Sequence, residues 1–328
     1  MRAIVAQEKG RPAELVQVPA PTPGPGEVQI AVAYSSLNYK DGATVMGRPG
    51  FVRSYPLTVG IDAVGTVIAT GEGVEEPAPG TLVVLNGAGA GESRPGGFAE
   101  VTTAAAESVV PVPESLTAEQ AAVIGTAGFT AALAVMAIED HGLAPGDGEV
   151  LVTGAAGGVG SVAISLLATR GYTVVASTGR ADSEGAYLRS LGAARVIDRA
   201  ELSDGPEAPL ASQRWAAVVD GVGSSTLAAA LAATRYGGIA VAYGLAQGMD
   251  LPTTVLPFIL RAVTLTGANS VDAPQDVRRR AWELLGAELD QEALAAMTRG
   301  IGLAEVPAEA EVILEGAVRG RTVVDVHA

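Results

Sequence analysis

The sequence predicts an α/β protein with a β-rich first third followed by a doubly wound parallel sheet. Three observations carry that expectation. Up to about residue 120, short β-branched runs such as VQIAVAY, AVGTVIATG and TLVVLNG are separated by punctuation such as PTPGPGE and PAPG. From residue 149, strand-like and helix-like segments alternate in regular order. Between the first of these strands and its helix lies a glycine cluster, TGAAGGVG at 153–160.

Taken in order, the β-rich part gives way to a helix in SLTAEQAAVIGTAGFTAALAVMAIEDHG, opened by a capping signal from Ser115 or Thr117 with Glu119 and Gln120 behind it. EVLVTG (149–154) reads as a buried strand and GVGSVAISLLATRG (158–171) as its helix. YTVVAST (172–178), SEGAYLRSLG (183–192) and ARVID (194–198) continue as strand, helix and strand. WAAVVDGVG (215–223), TLAAALAATRY (226–236) and GIAVAYG (238–244) repeat the unit. TLTGANS, VRRRAWELLGAEL and RTVVDVHA supply a further strand, a helix and a closing strand. There is no internal repeat and no flexible linker.

Composition bounds the function. A chain of 328 residues, 48% hydrophobic and 17% charged, buries a sizeable core and is not disordered. With 21 Lys and Arg against 36 Asp and Glu, its net charge of −15 argues against nucleic-acid and anionic-lipid partners. An anionic ligand therefore needs a local basic pocket. The absence of cysteine excludes disulfides and thiolate zinc sites. His141 and His327 have no plausible ligand pair, and His141 reads as part of a helix C-terminus. MRAIVAQEKGRP lacks a signal-like stretch, and no apolar run is judged to approach the roughly 20 residues that span a bilayer. The expectation is a soluble cytoplasmic protein without a membrane partner. The run at 278–280, RRR, reads as a solvated helix face.

The glycine cluster carries the chemistry. Gly154, Gly157 and Gly160 let the backbone turn tightly and approach a pyrophosphate, while Gly158 and Val159 open the helix that presents free N–H groups. The next strand ends in Ser177, Thr178, Gly179 and Arg180. Two hydroxyls and a guanidinium suit the 2′-phosphate of NADPH, although Asp182 keeps NAD open. Neither a GxSxG elbow nor a Walker loop is present. A second polar concentration is SSLNYKDG at 35–42, with Asn38, Tyr39, Lys40 and Asp41 side by side; it reads either as a solvated turn or as a reaction site.

PTPGPGEVQIAVAYSSLNYKD, GIDAVGTVIATGEGV, AAVIGTAGFTAALAV and TGAAGGVGSVAISLL resemble the medium-chain dehydrogenase/reductase superfamily, over essentially the whole chain. SSLNYKD, VRSYPL, GIDAVGTV, ASTGR, LPTTVLPFILRAVTL and VRGRTVVDV are similar to its YhdH/YhfP-type quinone oxidoreductases and acrylyl-CoA reductases. The resemblance implies a GroES-like catalytic domain at 1–121 and 260–328, with a Rossmann NADPH-binding domain at 122–259 inserted into it. It also implies a cleft between the domains, a homodimer formed largely through the Rossmann sheets, and no zinc.

Without a metal to polarise a carbonyl, the expected reaction is hydride transfer from NADPH to an activated C=C, in acrylyl-CoA or a similar small enoyl-CoA. Tyr39 is the expected proton or hydrogen-bond donor, Asn38 a substrate or nicotinamide orienter, Lys40 a tuner of the phenol or an anion binder, and Asp41 a backbone clamp. Thr126 and Thr130 are expected to line the nicotinamide pocket, and Asn269, Ser270 and Arg321 resemble cofactor-contacting positions. Arg53 and Arg261 are candidates for the CoA diphosphate. The alternatives are reduction of quinones on the same scaffold and a non-catalytic NADPH-binding protein.

Overall fold

The computed structural model of the protein describes residues 1–203 and 208–328. The chain forms two compact units, Met1–Phe129 with Ser270–Ala287 and Met297–Ala328, and Thr130–Asn269 with Glu288–Ala296.

In chain order the elements of the first stretch are β1 (Arg2–Ala6), β2 (Glu14–Gln17), β3 (Glu27–Leu37), α1 (Tyr39–Val45), β4 (Leu57–Thr58), β5 (Asp62–Thr70), β6 (Leu82–Asn86), β7 (Val101–Ala105) and β8 (Val109–Pro111). Helix α2 (Ala118–Asp140) carries the chain into β9 (Glu149–Thr153), α3 (Gly158–Thr169), β10 (Thr173–Thr178), α4 (Ala181–Ser190), β11 (Arg195–Asp198) and α5 (Ala200–Ser203). Then follow β12 (Trp215–Asp220), α6 (Ser224–Ala232), β13 (Thr234–Ala242), α7 (Leu256–Arg261) and β14 (Thr264–Gly267). The chain closes with α8 (Gln275–Glu288), α9 (Gln291–Ala296), β15 (Thr298–Gly302), α10 (Val306–Leu314) and β16 (Arg321–Asp325).

The first unit is built on a seven-stranded sheet in the order β15-β16-β3-β5-β6-β8, with β7 also paired to β3. Strand β3 alternates buried and half-buried residues through Val28, Ile30 and Val32, as a strand with one face on the core must. Its last three residues, Ser35, Ser36 and Leu37, are all buried. The stretch SSLNYKDG is therefore neither a turn nor a loop. It is the buried end of β3 running into α1, with Asn38 as the N-cap.

Helix α2 has the capping box that the sequence signals. The Thr117 N–H donates to Gln120 Oε1 at 2.8 Å and the Gln120 N–H to Thr117 Oγ1 at 3.2 Å. Contrary to the sequence reading, this helix is apolar enough and long enough to cross a membrane, but it is a core helix, 83% buried over its most apolar window. The RRR run also departs from expectation. Arg278 is buried and donates to the carbonyls of Asn86, Ser270, Val271 and Ala273, while Arg279 and Arg280 are exposed. The helix period turns only one of three adjacent residues inward.

The second unit carries a six-stranded parallel sheet in the order β11-β10-β9-β12-β13-β14. Its strands β9, β10 and β12 are buried along almost their whole length, as central strands of a parallel sheet are. The order reverses between β9 and β12, the position at which open α/β sheets leave a crevice at the strands' carboxyl ends. Pairing of β14 with β13 extends this unit to Asn269, past the boundary at 260 that the sequence reading placed.

Candidate active site

In the first unit the residues singled out at 38–41 divide by orientation. Asn38 and Asp41 point into the unit, whereas Tyr39 is 54% exposed. Asp41 Oδ2 accepts the Asn38 N–H at 2.9 Å and Oδ1 accepts the Ile61 N–H at 2.8 Å, so it does clamp backbone. The Asn38 amide is fully engaged. Its Nδ2 donates to Ser36 O, Asp41 Oδ2 and Asp62 Oδ2, and its Oδ1 accepts from Arg321 Nη1 at 3.1 Å.

Asp62 is the centre of this network, and it was not among the residues chosen from the sequence. It accepts from Ser36 Oγ at 2.6 Å, Asn86 Nδ2 at 2.7 Å, Thr126 Oγ1 at 2.6 Å and the Thr126 N–H at 3.0 Å. Arg321 supplies the cation, donating from Nε to Val123 O at 2.7 Å and from Nη2 to Ser36 Oγ at 2.8 Å. Burial pushes the Arg321 pKa down, against the opposing pull of Asp62 and Asp41. Burial, reinforced by the charge of Asp62, raises Asp41 to about 7, and hydrogen bonds from Asn38 and Ile61 partly offset this.

Gly125 makes the network possible. It sits inside α2 with φ 47° and ψ −159°, which interrupts the helical hydrogen-bond ladder. A Cβ there would lie 2.5 Å from Ser36 Oγ, 2.7 Å from Arg321 Nη2 and 2.8 Å from Asp62 Oδ2. At the break the carbonyl of Val123 and the N–H of Thr126 turn to Arg321 and Asp62 instead.

These contacts correct several expectations. Asn38, Thr126 and Arg321 are tied to one another through this interior network, because buried polar groups must be satisfied internally. Lys40 Nζ pairs with Glu92 Oε1 at 2.7 Å, so its charge is matched within the unit rather than directed at the phenol or at an anion. Ser270 is buried, with its carbonyl accepting from Arg278. Tyr39 and Arg53 remain at the surface.

In the second unit the glycine cluster behaves as its spacing requires. Gly154 takes φ +60° at the end of β9. A Cβ on Gly160 would lie 2.7 Å from the backbone of Ala155 and Gly154, so only glycine lets α3 pack this closely on its own turn. Helix α3 starts at N-cap Gly157 without a side-chain cap, and the N–H groups of Gly158, Val159 and Gly160 have no partner inside the helix. By contrast, Gln247 Oε1 closes the start of α6, accepting the Thr226 N–H at 3.1 Å and Thr226 Oγ1 at 2.9 Å. The open terminus at α3 fits the diphosphate of a dinucleotide.

At the end of β10, Ser177 and Thr178 are buried and Arg180 is half-buried. Arg199, which the sequence reading missed, lies beside them. Its N–H donates to Thr178 O at 3.0 Å, and its side chain crosses Gly179 so closely that a Cβ there would meet Nε at 2.6 Å. The signal was available: in parallel register Thr178 faces Asp198, which places the next residue beside Gly179. Thr130 is buried and Asn269 exposed. Arg261 is committed to structure, donating to the carbonyls of Ala211 at 2.6 Å, Ala232 at 2.8 Å and Thr234 at 3.3 Å, which corrects its assignment to a CoA diphosphate.

Comparisons with known proteins bear on both units. The chain matches the family Alcohol dehydrogenase GroES-like domain over residues 24–114 and the family Zinc-binding dehydrogenase over residues 158–287. It is 48% identical over 323 residues to acrylyl-CoA reductase AcuI of Ruegeria pomeroyi, covering 98% of this chain and 97% of that protein. It is 44% identical over 298 residues to putative quinone oxidoreductase YhfP of Bacillus subtilis, covering 90% and 89%. The crystal structure of YhfP with NAD bound superposes with a TM-score of 0.93 over 99% of both chains, at 41% identity. The crystal structure of the YhdH oxidoreductase from Salmonella enterica in complex with NADP superposes with a TM-score of 0.95 at 43% identity, over 99% of this chain and all of that one.

Proposed function

The chain belongs to the medium-chain dehydrogenase/reductase superfamily, in its branch of acrylyl-CoA reductases and YhdH/YhfP-type quinone oxidoreductases, and from that membership we propose that it reduces the activated C=C of acrylyl-CoA or a similar small enoyl-CoA with NADPH. The observation that carries the cofactor half of this reading is the uncapped, glycine-cradled start of α3 beside a strand end that bears Arg180 and Arg199. The N–H groups of Gly158, Val159 and Gly160 hold the diphosphate. Ser177, Thr178, Arg180 and Arg199 hold the 2′-phosphate, where a guanidinium fork matches the anion's geometry.

Bound NADPH supplies a hydride from its nicotinamide ring. The chain has to meet the negative charge that then develops on the substrate carbonyl oxygen and to deliver a proton to the α-carbon. Tyr39 Oη is suited to this, because Tyr39 faces outward while its neighbours Asn38 and Asp41 are spent on internal bonds. The interior network holds the first turn of α1 beneath it. Arg53, exposed on the same unit, is the candidate for the CoA diphosphate, and Thr130 and Asn269 are candidate cofactor contacts on the second unit.

The assembly we propose is a homodimer through the second unit. Leu245, Met249, Leu251, Val255, Ile259 and Leu260 are all exposed there within 16 residues of sequence. A buried core role for α2 fits a soluble, cytoplasmic enzyme.

NADPH consumption measured across acrylyl-CoA, crotonyl-CoA, simple enones and quinones tests the reading. Propionyl-CoA formed from acrylyl-CoA is the expected product. Rapid hydroquinone formation with no turnover of any enoyl-CoA would hand the function to the second reading, which the similarity to YhfP supports. Oxidation of NADPH with none of these substrates would leave a non-catalytic binding protein.

A further inference from the structure

Tyr243 was not singled out from the sequence, and it occupies an unusual position. It follows β13 directly, at the carboxyl edge of the parallel sheet. A Cβ built on Gly221, which follows β12, would lie 2.4 Å from Tyr243 Oη and 2.5 Å from its Cζ. The ring therefore lies across bare backbone at the end of β12. One built on Gly154, at the end of β9, would lie 3.9 Å from the same hydroxyl. Tyr243 thus spans from β13 across β12 to β9, over the point where strand order reverses.

The groups beneath it are already satisfied. Thr153 Oγ1 donates to Asp220 Oδ1 at 2.6 Å and accepts the Gly221 N–H at 3.1 Å, and Asp220 Oδ2 accepts the Gly223 N–H at 2.8 Å. Among the described residues, the contact recorded for the phenol is one of 3.5 Å to Thr153 O, at the outer limit of hydrogen bonding. Its hydroxyl thus keeps most of its hydrogen-bonding capacity for a better partner.

The geometry points to Tyr243 as a cofactor-binding residue that contacts the nicotinamide-ribose half of the dinucleotide, packing its ring on that half and donating its hydroxyl to an oxygen of the nicotinamide ribose. The proposal rests on the NADPH reading above and adds a direction to it. A dinucleotide whose 2′-phosphate lies at β10 and whose diphosphate lies at α3 crosses the reversal point, so its other half runs over the ends of β12 and β13. That is where Tyr243 stands. Burial, aided by the charge of Asp220, raises the phenol's pKa, which keeps it a donor through the working range.

Calorimetric titration of the whole protein with two probes, NADP⁺ and adenosine 2′,5′-bisphosphate, tests this. The second probe carries the adenosine half alone. Tyr243→Phe should weaken NADP⁺ about fivefold, the worth of one net hydrogen bond, and Tyr243→Ala should weaken it further. Neither should change the affinity for the bisphosphate by more than about twofold. Arg180→Ala should weaken both probes. Equal losses for both probes in the Tyr243 variants would assign Tyr243 a structural role and overturn the proposal, as would unchanged NADP⁺ binding in both. If the unmodified protein bound neither probe, the NADPH reading would fail and the proposal with it. Far-UV circular dichroism melts distinguish a folded Tyr243→Ala from a collapsed one, and the Phe variant, which loses one oxygen, decides the matter if the Ala variant is unfolded.

Discussion

Asp41 and Asp62 share one amide: Asn38 Nδ2 donates to Asp41 Oδ2 at 2.9 Å and to Asp62 Oδ2 at 2.8 Å. Two buried carboxylates so joined sit close enough for the charge of Asp62 to oppose the ionisation of Asp41. Arg321, the cation in contact with this network, reaches it through Asn38 and Ser36. The arrangement makes the first unit's stability a function of pH.

Burial and the neighbouring charge raise Asp41 from an ordinary 3.8 to about 7. Well below pH 3.8 it is protonated in folded and unfolded chains alike. As pH rises the unfolded chain releases the proton first, so stability falls until the folded carboxyl ionises near 7. The full loss is on the order of 4 kcal/mol. Calorimetric melts across this range should show Asp41→Asn gaining on the parent as pH rises. A constant difference between the two would remove Asp41 as the titrating group.

Gly125→Ala should be severe, because the added methyl meets Ser36, Arg321 and Asp62 in a left-handed backbone. We expect a loss of at least about 2 kcal/mol in urea unfolding. Gly142 provides the control. It has φ +94° but nothing within 4 Å of its would-be Cβ, so Gly142→Ala should cost only about 1 kcal/mol of strain. Equal costs would show that crowding at Gly125 is unimportant.

Arg180→Ala and Arg199→Ala should each weaken NADPH binding roughly 10- to 150-fold, the loss of a charge-assisted hydrogen bond worth about 1.5–3 kcal/mol. NADH affinity should barely change. Fluorescence titration with the two cofactors reads this directly. Parallel losses for both would mean that these guanidinium groups do not meet the 2′-phosphate.

Tyr39→Phe should lower kcat on acrylyl-CoA by about 10²-fold or more at unchanged NADPH affinity. Lys40→Met, which removes a partly exposed pair with Glu92, should change kcat by no more than about threefold, given the small worth of such pairs. Steady-state kinetics on both variants separates them. Unchanged kcat in Tyr39→Phe would take Tyr39 out of the mechanism.

Ile259→Asp combined with Leu260→Asp places two charges on the exposed apolar stretch of the second unit. Light scattering should show a dimer for the parent and a monomer for the variant. A monomeric parent would remove the dimer from the proposed assembly.

The sequence by itself determined the two architectures and the cofactor cradle, because both are written in local terms. Gly154, Gly157 and Gly160 act within one turn, and the strand–helix alternation around them reports burial residue by residue. The capping box at Thr117 and Gln120 is local in the same way. Tertiary structure alone decided what the polar residues at 38–41 do. Asn38 and Asp41 turn inward because Asp62, Asn86, Gly125 and Arg321 arrive from four distant points of the chain, and a buried carboxylate must be satisfied by whatever donors the fold brings. Arg261 and Arg278 were misjudged for the same reason, since a guanidinium's partners are backbone carbonyls that only folding assembles around it. Tyr243 was silent in the sequence because its position depends on the order of strands in the sheet, which pairing across β9, β12 and β13 fixes and no local pattern records.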